Sequence, residues 1–205
     1  MIHNVASLIS RVLHPLLMPA YLFICLGYFY PSTLNNPGKN TFVLVSFMFT
    51  ITTALPLINL MLLRSMGIFE KFSQNKHLER IIPITAVTII YLVVIWLFYF
   101  HFYVPYLIKF LIIIAANALA GSLLSVWKNK IISIPALAAG ANATLLVMIH
   151  NTGVGVSMAP PVVAILCCGL VMSVQLYLQR NRPSEVYLGL LAGCLTTFFA
   201  ATYFL

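Results

Sequence analysis

The chain has 205 residues, of which 62% are hydrophobic and only 7% are charged. A soluble domain of this size has too little interior for so much apolar surface, so the composition excludes a water-soluble globular protein and predicts an integral membrane protein. The formal net charge of +8 comes from basic residues that flank the apolar runs. This placement indicates attraction to anionic lipid headgroups or phosphate and no nucleic-acid partner.

Apolar runs of about 20 residues, the length that a helix needs to cross the hydrocarbon core, follow one another along the chain. They predict an all-α integral membrane protein, a compact bundle of about seven transmembrane helices in a single domain over residues 1–205. The first run contains Pro15 and Pro19, which would kink it or leave its start in the membrane interface. If the first helix is interfacial, six crossings remain. The predicted spans are Val12–Tyr30, Thr41–Leu63, Ile81–Phe102, Pro105–Trp127, Ile131–Ile149, Val156–Leu178 and Val186–Leu205.

Basic residues are distributed unequally between the two predicted sides. With these spans, only Lys39 and Lys109 of the 11 Lys and Arg residues lie on the side away from the N-terminus. The positive-inside rule then predicts a protein of the inner (cytoplasmic) membrane with a cytoplasmic N-terminus and an external C-terminus. A phosphate-binding site would also concentrate basic residues on one side, so the number of Lys and Arg residues on each side reflects both topology and any such site.

Three basic loops are predicted to lie on one side, at residues 64–80, 127–130 and 179–182. In a compact bundle such loops converge, and Arg is the natural bidentate partner of phosphate. One interpretation is therefore a pocket for a lipid headgroup, and the other is ordinary flanking charge. The pocket would be formed by Lys76, Arg80, Lys128, Lys130 and Arg182.

A few polar and small residues interrupt the apolar runs. Asn59, Asn117, Asn142 and Gln175 are expected to form hydrogen bonds between helices. Small residues four apart, at Ala116/Ala120, Ala136/Gly140 and Gly189/Gly193, are expected to let helices approach closely.

Three short segments on the basic side stand in a recognisable order. The first segment ends Glu79-Arg80-Ile81-Ile82-Pro83, and the second is Ser133-Ile134-Pro135. The third contains Gln175, Asn181 and Glu185, which have the same spacing as the three named residues in the pattern R-x5-H-x3-D. This order resembles the type-2 phosphatidic acid phosphatase superfamily of membrane lipid phosphatases, whose motifs are K-x6-R-P, P-S-G-H and S-R-x5-H-x3-D. The segment His14-Pro15-Leu16-Leu17-Met18-Pro19 is similar to the entry segment of small helical relatives of that family.

The resemblance implies a catalytic site that this chain has lost. In the family the third-motif histidine attacks phosphorus, the second-motif histidine helps expel the leaving group, and an arginine holds the phosphoryl oxygens. Here those positions hold Asn181, Pro135 and Gln175, while Arg80, Ser133 and the carboxylate of Glu185 remain in kind. An amide offers no nucleophilic lone pair and proline has no proton to give. We therefore expect no catalytic residue, and a lipid-binding or scaffold subunit of a membrane complex, with membrane lipids and other membrane subunits as partners.

Two alternatives remain open at this point. One is an active phosphatase on a lipid phosphate such as phosphatidate or an isoprenyl pyrophosphate, with His77 of the first basic loop replacing the lost histidine. The other is a small transporter, disfavoured because no predicted span contains an acid–base pair. The chain has three acidic residues and four cysteines within apolar runs, so neither a metal nor another cofactor is expected.

Overall fold

A computed structural model describes residues 2–34, 41–67, 76–102, 105–127, 132–153, 157–179 and 181–204, and every element within these ranges is helical. A 3₁₀ helix at Pro31–Leu34 follows α2, and π-helical turns at Thr50–Ala54 and Phe98–Phe102 follow α3 and α5. The α-helices are α1 (Ile2–Val12), α2 (Met18–Phe29), α3 (Thr41–Phe49), α4 (Leu55–Ser65), α5 (Lys76–Leu97), α6 (Pro105–Trp127), α7 (Ile134–Asn151), α8 (Ala159–Tyr177) and α9 (Pro183–Phe204).

Six helices within the described residues are long and apolar enough to cross a membrane. Large apolar side chains cover their outer surface; Phe42, Phe199 and Tyr203, for example, are exposed. Such a surface is stable only against lipid, so the all-helical class is confirmed and a membrane-embedded protein is indicated. The six are Val45–Ser65, Ile82–Phe100, Leu107–Ser125, Ile134–Asn151, Ala159–Tyr177 and Pro183–Phe204.

Helices α7 and α9 make the closest approach in the bundle core. A Cβ atom added at Gly189 would lie 2.5 Å from the carbonyl oxygen of Ser133, and one added at Gly193 would collide with the carbonyl of Leu137. A Cβ added at Gly140 of α7 would lie 3.0 Å from the backbone oxygen of Leu190 on α9. The prediction that small residues permit close helix packing is confirmed at these three glycines.

The first predicted span, Val12–Tyr30, is interrupted near its prolines, as predicted, but its helical part begins only at Met18. The chain breaks between Val12, where α1 ends, and Met18, where α2 begins. Pro15 lies in this break, and Pro19 occupies the second position of α2, where a missing N–H leaves no hydrogen bond unmade. Helix α2 has 12 residues and so rises only ~18 Å, which is too short for a core of ~30 Å.

The break at residues 13–17 lies halfway along its neighbours. Two side chains that bond the backbone in or next to the break show its depth. Asn142 is at the middle of the 18-residue α7, and Thr53 is in the π-helical turn between α3 and α4. Side chains bond backbone groups in the break and at the helix ends beside it, as an apolar surrounding favours. The bonds are Thr53 Oγ1 to the Leu16 carbonyl (2.9 Å), Asn142 Nδ2 to the Met18 carbonyl (2.8 Å), Tyr21 Oη to the Val12 carbonyl (2.8 Å) and the Leu16 N–H to His14 Nδ1 (3.3 Å).

Candidate functional site

Ser133 is the residue that precedes α7, and its side chain is directed away from the helix it begins. Its backbone is extended (φ −72°, ψ 100°), and its carbonyl accepts the first helical bond, from the Leu137 N–H at 3.0 Å. Serine at this position ordinarily caps the helix with its hydroxyl. Within the described part of the chain, however, Ser133 Oγ makes no capping bond and instead accepts a hydrogen bond from Asn181.

Asn181 joins two of the positions that the motif comparison predicted. Its Nδ2 donates to Ser133 Oγ at 3.2 Å and to Gln175 Oε1 at 3.3 Å. Ser133 and Gln175 are 1% and 4% exposed, whereas Asn181 is half-buried. We call these three residues the end cluster; it joins the start of α7, the end of α8 and the turn between α8 and α9.

The turn after α8 brings Asn181 back over the bundle. Gln179 has a φ of +49°, the left-handed conformation that commonly ends a helix, and its N–H donates to the Leu176 carbonyl at 3.1 Å. This reversal places Asn181 only two residues later against Ser133 and Gln175. The spacing of Gln175 and Asn181 thus corresponds to one helix end and one tight turn.

Glu185, the carboxylate that stands at the aspartate position of the third motif, is bonded to its own helix. It lies at the third position of α9, and its Oε2 accepts the backbone N–H of Arg182 at 3.0 Å, one half of a capping box. Its backbone carbonyl accepts the Ser133 N–H at 3.2 Å. Helix α9 begins at Pro183, so Arg182 is the residue that precedes it. Glu185 therefore fixes the start of α9 beside the end cluster.

Pro135, which replaces the second-motif histidine, has a structural role in α7. It is the second residue of that helix and is half-buried. Proline is favoured in the first turn because its fixed φ suits a helix and its missing N–H would have no partner there.

The predicted basic pocket lies mostly beyond the described side chains. Arg182 is exposed beside the end cluster. Lys76 and Arg80 fall on the first turns of α5, but their side chains, like that of His77, lie outside the described part. Lys128 and Lys130 lie outside the described residues altogether. Whether these five basic residues converge on one phosphate stays a prediction.

A central cavity of about 350 Å³ lies beside the break in the first span. Leu60, Pro83, Gly121 and Ile134 contribute to its wall from α4, α5, α6 and α7. Each is within a turn or two of the helix end that joins a basic loop, so the backbone brings these helix ends together at one end of the cavity. Sequence reasoning missed the cavity; the signal that pointed to it was the pair of prolines in the first apolar run.

The end cluster can bind polar groups but contains no titratable side chain. Its serine, glutamine and asparagine bond one another, and both hydrogens of the Asn181 amide are directed at protein oxygens. No family model, curated protein or solved structure matches this chain. The functional argument therefore rests on the geometry and chemistry of the residues themselves.

Proposed function

We propose that this protein is a catalytically inactive relative of the membrane lipid phosphatases that binds lipids as a subunit of a membrane complex. The observation that supports it is the end cluster: Ser133, Gln175 and Asn181, which match positions of two family motifs, lie within hydrogen-bond distance in the order 133–181–175. Asn181 thus bonds Ser133, 48 positions away in the sequence, where the resemblance implies that a phosphate site would be.

The chemistry of the end cluster supports binding without turnover. Phosphoryl transfer through histidine needs an attacking nitrogen, a proton donor for the leaving oxygen and cations on the phosphoryl oxygens. Asn181 and Pro135 supply neither of the first two, and general acid catalysis alone contributes about 10²–10⁴-fold. The buried members of the cluster bond one another, so a headgroup would be held at the exposed rim, where Arg182 lies.

The test measures binding and turnover on the same vesicles. The purified protein is mixed with phosphatidylcholine vesicles that contain phosphatidate or an isoprenyl pyrophosphate, and bound lipid and released phosphate are recorded. Arg80→Ala should weaken anionic-lipid binding by about 1.5–3 kcal/mol, or roughly 10–150-fold, the scale of a hydrogen bond to a charged group. Lys109→Ala removes the same charge at the opposite end of α6 and should have little effect, because Lys109 lies near the start of that helix.

Released phosphate should not exceed that of vesicles without protein. Release that His77→Ala abolishes would overturn the proposal and make the protein an active phosphatase with a relocated histidine. Equal binding of anionic lipid by Arg80→Ala and Lys109→Ala would instead mean that the basic loops are ordinary charge flanking the membrane spans.

The proposal includes a topology in the inner membrane. Helices α1 and α2 together form the first of about seven crossings, with the N-terminus in the cytoplasm and the C-terminus outside, as the distribution of Lys and Arg predicts. In a variant without native cysteines, Asn75→Cys should react with a membrane-impermeant maleimide only after permeabilisation, and Asn36→Cys should react in intact cells. Labelling of both from one side would contradict the number of crossings, and a reversed pattern would contradict the orientation.

A further inference from the structure

We propose that the central cavity binds one hydrocarbon chain of a membrane lipid, inserted from the leaflet next to the basic loops. The cavity volume of about 350 Å³ falls within the ~300–1,000 Å³ of small-molecule sites. It lies inside a bundle with six described helices that are long and apolar enough to cross a membrane, so lipids are the molecules expected around it.

The polar groups in the cavity wall are already bonded to protein. Asn117 Nδ2 donates to the Ile113 carbonyl and to Thr197 Oγ1, both at 2.8 Å, and Tyr91 Oη donates to the Thr52 carbonyl at 3.0 Å. Asn142 bonds the Met18 carbonyl, and His14 accepts the Leu16 N–H. Each polar side chain among the described lining residues thus has a protein partner, and a polar ligand would gain little there.

The rest of the wall consists of apolar side chains from five helices. Leu22 comes from α2, Leu60 from α4, Val87 from α5, Ile113 from α6 and Leu137 from α7. An empty space of this size would leave these side chains without contact atoms on one side. Water does not fill an apolar cavity, but an apolar molecule can. An apolar occupant restores those contacts.

The length of the cavity fits a chain from one leaflet. Ile134 and Leu145, both in the wall, are eleven positions apart on α7, which corresponds to ~16 Å at the helical rise. One leaflet contributes about half of the ~30 Å hydrocarbon core. The cavity begins at Pro83 and Ile134, near the basic loops, and reaches Leu22 and Tyr91 at the middle of the bundle. A lipid would therefore enter tail first, with its headgroup at the end of the cavity where the basic loops lie.

The test uses a neutral lipid, so that it does not depend on the proposed headgroup site. The protein is reconstituted in phosphatidylcholine vesicles with a trace of phosphatidylcholine that has a photoactivatable diazirine midway along one chain. After illumination, peptide mass spectrometry locates the adducts. We expect adducts on Leu137, Ala141 or Leu145 in the cavity, in addition to outward-facing residues such as Leu166 and Leu191.

Two variants fill the cavity from different helices, Ala141→Phe on α7 and Ala118→Phe on α6. Each should lower the cavity adducts by about tenfold, the change that 1.4 kcal/mol of binding produces, and leave the outward-facing adducts unchanged. The matched control is Leu123→Phe, which adds the same ring to the outer face of α6, where Leu123 is 63% exposed. Circular dichroism and size-exclusion chromatography establish that each variant is folded.

The proposal is overturned if the adducts on the unmodified protein are confined to outward-facing residues. It is equally overturned if cavity adducts persist at the original level in a folded filling variant. Should both variants fail to fold, the position of the adducts on the unmodified protein decides. Cavity adducts that remain in Arg80→Ala, which lacks the proposed headgroup contact, would leave this inference standing even if the phosphatase-like function were wrong.

Discussion

The end cluster and the break in the first span each lie beside a helix that has proline in its second position, but they use polar side chains differently. At the end cluster, Asn181 bonds two other side chains, those of Ser133 and Gln175. At the break, Thr53 and Asn142 bond main-chain carbonyls. Side-chain partners can be exchanged for others of similar shape, whereas a carbonyl in an apolar surrounding must be bonded wherever the chain is not helical. The end cluster can therefore vary in its chemistry, while the break depends on specific side-chain donors, which are Thr53, Asn142 and Tyr21.

The two regions also differ in packing. Beside the end cluster, α9 lies directly on α7 because Gly189 and Gly193 have no side chain to separate them. Beside the break, the helices stand apart around the central cavity of about 350 Å³. Close backbone contact thus holds one face of α7 against α9, whereas Ala138, Ala141 and Leu145 of the same helix line the cavity. The predictions below test each part of this contrast.

Gly193→Ala should have the largest effect, because the added Cβ would collide with the Leu137 carbonyl, a backbone atom that cannot rotate away. We expect the free energy of unfolding in mixed detergent micelles to fall by about 3 kcal/mol, the upper part of the range for overpacking. Gly169→Ala is the matched control, since no described atom lies within 4 Å of a Cβ added there. It should be neutral or slightly stabilising, because alanine is the better helix former. Equal stability of the two variants would show that α7 and α9 are not in close contact.

Asn142→Leu should lower the free energy of unfolding by about 1 kcal/mol, since it removes the 2.8 Å side-chain bond that joins α7 to the Met18 carbonyl at the start of α2. Leucine keeps the branched shape of the side chain without its donor. Ser122→Ala is the control, because among the described residues Ser122 bonds the Leu119 carbonyl of its own helix and no other element. Its effect should be below about 0.5 kcal/mol. A loss no larger than that of the control would mean that the break does not need Asn142.

Much of the fold could be predicted from the sequence because lipid imposes one requirement on every crossing. Apolar runs became helices, and Asn117 bonds Thr197 between α6 and α9 as expected for a polar residue in a span. The bounds of the first span could not be predicted. Pro15 and Pro19 showed that the run would be interrupted, but not whether by a kink or by a break. A break needs side-chain donors such as Thr53 nearby, and their position depends on the packing of other helices.

The candidate site was predictable only where its members follow a spacing. Gln175 and Asn181 are separated by one helix end and one turn, so their meeting is a local property of the chain. The central cavity has no such pattern, because its wall is assembled from six helices that are distant from one another in the sequence. Glu185 follows the same motif spacing, and its position is also the third residue of α9, where its side chain caps the helix.

The smallest expected effect belongs to the double variant Asn181→His, Pro135→His, which restores both lost histidines of the resemblance. Proline is favoured but rarely required in the first turn of a helix, and a histidine at 181 can still donate one N–H to Ser133 or Gln175, so the variant should fold. The phosphate that it releases from phosphatidate should nevertheless equal that of the unmodified protein. Gln175 is 4% exposed and uncharged, so the phosphoryl oxygens would still lack their arginine, and Glu185 would remain bonded to the Arg182 N–H rather than orienting the new imidazole. The opposite outcome would be phosphate release by the double variant that disappears when position 181 alone is returned to asparagine. It would show that the two histidines suffice for catalysis. It would also show that the end cluster opens to admit a phosphate that its own hydrogen bonds now exclude.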